Sequence, residues 1–400
     1  MTASVPTADR AAAVVALPSS RDENWKYAPL RGLERLRWDP PGTLTDEAVD
    51  AARALLLAAD GDAAPGGAGR WTLVDGLFAA ALSSGPAPEG PAGAACAGVG
   101  AAADPDLAFV RLNRRHAGPP VTLRVPADTA LDLELACVAL GVGHPAIVVE
   151  IGAGARLRLF ERHLGAADAL ANLSLILRLG RGAQVEHSRL LQPAAGARHF
   201  ETLQVGLDSG AVLRAVQLTT GGAATRSTAL VELAGADAAL HWHAAMLGTQ
   251  QQAHDAYVRV IHDAPRVRTA QGFRGIAADR SRIAFNGHMR VTARACGAHS
   301  DQTLRSLLAG PAAEANARPQ LEIDTDDVRA SHGATVGKLD PDMLFYLLSR
   351  GIPPAAAESL LKWAFVSDVL AKLPDAALRT RFGKAIAPWL PGAEAARSLA

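Results

Sequence analysis

Apolar side chains alternate with polar ones at Leu157 and Leu159, at Leu173, Leu175 and Leu177, at Val185, at Leu203, Val205 and Leu207, and at Val258 and Val260. A period of two sends successive side chains to opposite faces of an extended backbone, so these runs predict strands. Turns rich in glycine and alanine separate them at a repeating interval. Ile151 opens a segment with Gly154 and Ala155, Leu179 one with Gly182 and Ala183, and Leu207 one with Gly210 and Ala211, at steps of 28 and 28 residues. Looser copies begin at Val125, Leu233 and Ile261, with steps of 26, 26 and 28. A fixed period in this range signals a stacked architecture, and period-two alternation makes the stacked unit a coil of strands, rising about 4.8 Å per coil. No unit carries a ten-residue apolar pattern at helical spacing, which disfavours a helical solenoid. An antiparallel sandwich with coincidental glycine spacing is the competing arrangement.

The flanks have a different rhythm. Thr45 followed by Asp46 and Glu47 predicts a helix start, because a threonine cap and two acids suit the exposed amides of a first turn; Leu55, Leu56 and Leu57 fall in that helix. Residues 60–70 and 83–103 read as loops, bracketing a strand or short helix from Trp71 to Leu82. Beyond Gly337 the period returns to helical. Asp340 caps a helix beginning with Pro341 and closed by Gly351, a second runs from about Pro354 to Lys372, and a third carries Leu378, Phe382 and Ile386. The expected organisation is a helical or mixed N-terminal region over residues 1–120, a β-helix over 121–338 and a helical domain over 339–400.

Composition narrows the function classes. Forty Lys and Arg balance forty Asp and Glu in 400 residues with no run of like charge, so nothing predicts a nucleic-acid groove. Cys96, Cys137 and Cys296 are odd in number and widely spaced, which points away from a disulfide framework and to a reducing compartment, the cytoplasm. The apolar run Ala11 to Leu17 is short and lacks a basic stretch before it, so it reads as an ordered or frayed arm and not a secretion signal. No window of about eighteen uncharged apolar residues predicts a membrane span.

Several groupings could carry chemistry. His241 and His243 share one strand face, and His187 occupies the same offset in its repeat as His241, which predicts a histidine column two coils apart, roughly 9.6 Å and too far to share one ion. Cys296 and His299 form half of a zinc pattern without its other half. Gly333 to Leu339 is one residue short for a phosphate-binding loop and has leucine in place of the metal-binding hydroxyl, which argues against intrinsic ATPase activity. Asp324, Asp326 and Asp327 could bind calcium, as in a β-helical carbohydrate-active enzyme, or lie solvated in a turn. No nucleophile elbow or dinucleotide turn is present.

Arg318-Pro319-Gln320-Leu321-Glu322-Ile323, the stretch from Asp327 to Gly337, Leu339-Asp340, Leu344 to Leu347 and Ser349 to Ile352 together resemble the C-terminal signature of the SufB/SufD family, scaffold subunits of SUF iron–sulfur cluster assembly. The form Ser-His-Gly-Ala-Thr-Val-Gly is similar to the SufD branch, and Arg21 to Tyr27 with Leu30 and Arg31 is similar to the family's N-terminal motif. The resemblance covers nearly the whole chain. It implies a right-handed parallel β-helix between helical ends, and a non-enzymatic subunit pairing with SufB and docking the ATPase SufC. On that basis Leu321, Ile323, Val328 and His332 fall on the SufB side, and Leu344, Leu347, Leu348, Leu360, Leu361 and Phe365 on the SufC side, where each leucine could equally be core. His332 is implied as a ligand of a nascent iron or iron–sulfur cluster shared with a partner thiolate, against a plain capping role. The chain alone would hold no cofactor tightly and could form a homodimer. Ala330 stands where many relatives have cysteine, which counts against a SufB-like role.

Overall fold

The computed structural model describes residues 16–60, 67–89 and 105–390. Cys96, most of the Ala11–Leu17 arm and most of the two expected loops lie outside them. The alternating runs form a parallel β-solenoid of two sheets. Successive strands go to alternate sheets, so each coil contributes one strand to each and pairs in parallel with the coil before and after it. One sheet runs from Gly69–Val74 through Ala130–Ala139, Arg156–Gly165, Gln184–Pro193, Val212–Thr220, Ala239–Gly248 and Arg268–Ala278 to Ala298–Ala309 and Val328–Gly337. The other runs from Val121–Val125 to Glu314–Ile323. Parallel pairing throughout the stack excludes the antiparallel sandwich. The first sheet already starts at Gly69, well before the expected coil boundary at residue 121.

The core lies between the sheets. Leu157, Leu159, Leu173, Leu175, Leu177, Val185, Leu203, Val205, Leu207, Val258 and Val260 all belong to one buried cluster, so period-two alternation identified the inward face correctly. Coil length drifts, however. Paired positions are 28 residues apart at Arg156 and Gln184, 27 at Val212 and Ala239, and 32 at Arg282 and Glu314. The 27-residue step breaks the expected histidine column: His187 stacks through Ala215 onto Trp242, inside the solenoid, while His241 and His243 sit on the outer face under the C-terminal helices. An odd step exchanges inward and outward positions relative to a count of 28.

One corner of the solenoid is a ladder. Asp128, Gly154, Gly182, Gly210, Asp237, Arg266 and Gly297 all have positive φ, between 56° and 72°. Each donates its backbone N–H to a carbonyl in the next coil at 2.8–3.1 Å. Glycine meets this conformation without a Cβ clash and aspartate tolerates it, which is why the glycine period is visible in sequence yet incomplete. Arg266 and Asp237 sit one above the other and form a bidentate ion pair.

Helices cover both outer faces. Helix α1 (Asp46–Asp60) buries Ala52 and Leu56 against Val74, Ala136 and Val138, while Leu57 faces solvent. Helix α2 (Ala108–His116), which the sequence pattern left unassigned, packs Phe109 and Leu112 with Trp25 and Leu33 on Leu170 and Phe200 of the second sheet. The C-terminal helices α3 (Pro341–Ser349), α4 (Pro354–Leu370) and α5 (Ala376–Ile386) start as expected, with Asp340 accepting from the N–H groups of Asp342 and Met343 and Asp375 accepting from that of Leu378. Val366, Val369, Phe382 and Ile386 fold back onto Phe160, Leu190, Leu218 and Ile276 of the first sheet. Among the described residues no helix is long and apolar enough to cross a membrane.

Three buried rings make the fold acid-sensitive. Burial pushes His254 and His262, in the solenoid, and His144, beside Trp38, down to about 4. Each ring therefore takes up its proton in the unfolded chain at a higher pH than in the folded one. The unfolded state binds more protons between about pH 6.5 and 4, so stability falls as pH drops through that window. Calorimetry is expected to show a lower Tm at pH 5 than at pH 7.5; an unchanged Tm would contradict this.

Candidate functional site at the open end of the solenoid

The two ends of the stack are finished differently. At the first coil, Gly69–Val74 is covered by an antiparallel strand, Leu77–Phe78, and by a bridge from Arg70 to Ser84, while Glu89 bridges to Thr122 of the other sheet. Trp71 closes this end by donating to the carbonyl of Pro86 at 2.7 Å. At the last coil, Glu314–Ile323 and Val328–Gly337 are the terminal strands of their sheets, and among the described residues no strand pairs with their outer edges. No residue of either strand is fully buried. Two adjacent edges therefore present unpaired backbone donors and acceptors, the arrangement that templates strand addition.

Register places the expected residues on these edges. Leu321 lies over Met289 and Ile323 over Val291, both in the core, so both point along the apolar interior of an incomplete coil. Val328 lies over Ala298 and His332 over the buried Gln302, again on the inward face. With no further coil above them, Ile323 is 42% exposed, Val336 46% and His332 is exposed. His332 has no hydrogen-bond or ion-pair partner among the described residues. Gly333 to Gly337 is strand, not a loop opening a helix, so the phosphate-loop geometry is absent.

The chain then passes directly into α3, none of whose residues is buried. Phe345 is 72% exposed, Met343 58% and Tyr346 57%, and Leu348 is also exposed. Leu344 and Leu347 are half-buried, as are Leu360, Leu361 and Phe365. Phe365 packs toward the second core with the Arg274 guanidinium 5.8 Å from its ring centre. The expected leucine stripe thus divides between the α4 packing face and the surface, and the strongest exposed apolar residues are Met343, Phe345 and Tyr346, which that stripe omitted.

The acidic turn completes the corner ladder. The carbonyl of Asp327 accepts from Gly297, and Asp324 lies 3.6 Å from Arg290. Among the described residues, Asp324, Asp326 and Asp327 do not converge into a cation site. Cys296 is exposed in the Gly297 corner.

Two features were not legible from motifs. The N-terminal motif reaches the last coil: Arg318 donates to the Glu23 carbonyl at 3.1 Å and pairs with its carboxylate, and Gln320 and Asn24 both meet Asn286. Trp25 beneath it stacks on the guanidinium of Arg226, which is itself ion-paired to Asp255. The second feature lies inside the solenoid. Arg189 bridges Glu161 at 2.9 and 3.0 Å and Glu201 at 3.0 and 2.8 Å. His187 and His163 donate to Glu161, and His199 and Ser227 to Glu201. Burial alone would raise both carboxyls, but Arg189 and the imidazoles outweigh it and hold both below the usual range. Burial pushes His187 and His199 down. The sequence signal was present as Glu-x-His, His-x-Arg and His-x-Glu in three nearby strands, each pair on one face.

Against this geometry stand the relatives. A family model described as SUF system FeS cluster assembly, SufBD core domain, matches residues 138–365. The iron–sulfur cluster assembly protein SufD of Escherichia coli K12 is 27% identical over 392 residues, which are 94% of this chain and 90% of that protein. A SufBD family protein of Synechocystis is 23% identical over 92% of this chain and 87% of its own length. The chloroplastic protein ABCI7 of Arabidopsis thaliana is 30% identical over 60% of this chain and 51% of that protein.

The exposed residues of α3 contribute little to the fold. Phe345→Glu is expected to shift unfolding free energy by no more than about 0.5 kcal/mol, whereas Phe382→Ala, in the sealed cluster on the first sheet, costs about 3–5 kcal/mol. Denaturant titration of both variants checks the contrast.

Proposed function

The chain belongs to the SufBD core family of SUF iron–sulfur cluster assembly, and from that premise we propose a SufD-like scaffold subunit that performs no covalent chemistry itself. The observation that carries this reading is the asymmetry of the stack: one end is sealed by the chain's own strands and the other is left as two parallel edges with an apolar interior. SufB is the partner proposed to extend both sheets there, meeting Leu321, Ile323 and Val328. Main-chain pairing supplies affinity in such strand addition, and alternate side chains supply specificity. In isolation, a second copy of the chain can cover the same edges.

His332 then faces the seam. A neutral imidazole suits iron, and with Ala330 in the preceding inward position the soft thiolate has to come from the partner. Iron and sulfide are cargo at this seam, held transiently and passed on. SufC is proposed to dock on the exposed face of α3 with the adjoining part of α4, and nucleotide-driven closure of two SufC subunits would pull on α3, which begins nine residues after His332.

Two substitutions separate these roles. His332→Ala is expected to leave the complex with SufB and SufC intact while lowering its iron content, read by gel filtration and metal analysis under anaerobic conditions; unchanged iron removes the site. Phe345→Glu is expected to weaken SufC binding by more than about tenfold while SufB pairing persists, because an exposed aromatic anchor is where an interface concentrates its energy. Failure of the unmodified chain to bind either partner would end the scaffold reading.

A further inference from the structure

We propose that the interior of the solenoid binds one divalent late-transition-metal ion, of the iron(II) or zinc(II) class, through His163, His199 and Glu201, with Cys137 as the fourth ligand. This site is separate from His332 and does not depend on the role proposed for the open end.

The donor atoms of His163, His199 and Glu201 all lie within 4.8 Å of one another. Glu201 Oε2 is 2.9 Å from His199 Nε2 and 4.0 Å from His163 Nε2. Ligands about 2.1 Å from a tetrahedral zinc ion stand about 3.4 Å apart, between those two separations, so small side-chain rotations close the site. The two rings meet edge to face with centres 4.7 Å apart, with His199 Nε2 on Glu201 and His163 Nε2 on Glu161. Cys137 borders the two imidazoles, since its strand position pairs with His163 and it lines with His163, His199, Asp75, Gly76 and Gly143 a cavity of about 10 Å³; as fourth ligand its Sγ has to close in from outside the 4.8 Å group. The cavity has room for one water-sized sphere or one ion.

Charge argues in the same direction. Glu161 and Glu201 share a single guanidinium, Arg189, so the three groups sum to −2 + 1 = −1 in a buried setting. A divalent ion with a Cys137 thiolate brings the total to zero. In the absence of metal, burial and the two carboxylates push the Cys137 thiol well above its ordinary range. Metal ligation reverses this by releasing the thiol proton to solvent. At His163 the Nε2 proton now donated to Glu161 at 2.5 Å moves to Nδ1, freeing Nε2 as a ligand. Glu161 remains held by Arg189 and His187. Two imidazoles, one carboxylate and one thiolate select zinc or iron over the oxygen-seeking magnesium and calcium. Asp75 and Gly76 separate the inner cavity from an open groove of about 500 Å³ that also carries Asp39, His116 and His144, since they line both.

The test uses the full chain with Cys96 and Cys296 changed to serine, stripped of metal and titrated anaerobically with cobalt(II). One equivalent is expected to bind with the strong visible absorption of a tetrahedral site and a near-ultraviolet thiolate charge-transfer band. His163→Gln and His199→Gln are expected to lower affinity at least tenfold, Cys137→Ser to abolish the charge-transfer band, and His332→Ala to change neither signal. Zinc(II) is expected to raise the Tm of the parent chain, a readout that holds even if the glutamine variants fail to fold. Absence of both a stoichiometric cobalt spectrum and a zinc-dependent Tm rise in the parent overturns the proposal. So does wild-type cobalt affinity in folded His163→Gln and His199→Gln chains, and a persistent charge-transfer band in Cys137→Ser removes Cys137 from the ligand set.

Discussion

Every strand of this protein depends on the coil above and the coil below for its backbone hydrogen bonds, and that dependence sets the rest of the architecture. Inside the stack the requirement is met automatically, by parallel pairing along the strands and by the corner ladder from Asp128 to Gly297 between them. At the ends it cannot be met from within the repeat. The first coil is sealed by a hairpin and two bridges donated by the N-terminal region. Among the described residues the last has no such cap, and its inward positions, Leu321, Val328 and His332, are core positions without a neighbour there. A solenoid needs capping at both ends for solubility, and this is the physical ground for the partner proposed there.

The polar interior follows from the same geometry. A closed coil has to fill a lumen whose residues are fixed by strand parity, and in the strands Arg156–Gly165, Gln184–Pro193 and Arg198–Leu207 some of that parity is given to glutamate, histidine and arginine instead of leucine. Replacing such a network by hydrocarbon is often neutral or stabilising in proteins, so stability alone does not explain its presence. Each carboxylate is over-supplied with donors: Glu161 receives Arg189, His163 and His187, and Glu201 receives Arg189, His199 and Ser227. The rigidity that results fixes the directions of the imidazoles beside Cys137.

Much of this was legible in the sequence where a local rule determines it. Alternation identified the inward residues, left-handed corners required glycine often enough to reveal the period, and Asp340, Pro341 and Gly351 marked α3 through capping chemistry. What failed were extrapolations across coils. The step from Val212 to Ala239 is 27 residues, so a column counted in even steps of 28 and 26 put His241 with His187 when it lies on the opposite face. Helix α2 was missed because it is only nine residues long and follows a stretch dominated by alanine and glycine. Exposure of α3 was also hidden: Met343, Phe345 and Tyr346 have core-like chemistry, and only the placement of α4 and α5 shows that the sheet is already covered without them.

The two terminal motifs have a joint physical role that neither reveals alone. Glu23 and Arg318 are almost three hundred residues apart, yet the N-terminal segment is clamped to the outer face of the second sheet by Trp25 on Arg226 and by Asn24 on Asp106 and Tyr257, and from there it reaches the last strand. Through Asn286, Asn24 also touches Gln320 indirectly. An edge strand with no outer neighbour frays easily, and fraying here would scramble the register of His332 and Leu321 on the last coil. The exposed Glu23–Arg318 ion pair adds little energy by itself. Its consequence is positional: it ties the open edge to a segment anchored several coils away on buried aromatic rings, so the edge can stay unpaired without becoming disordered.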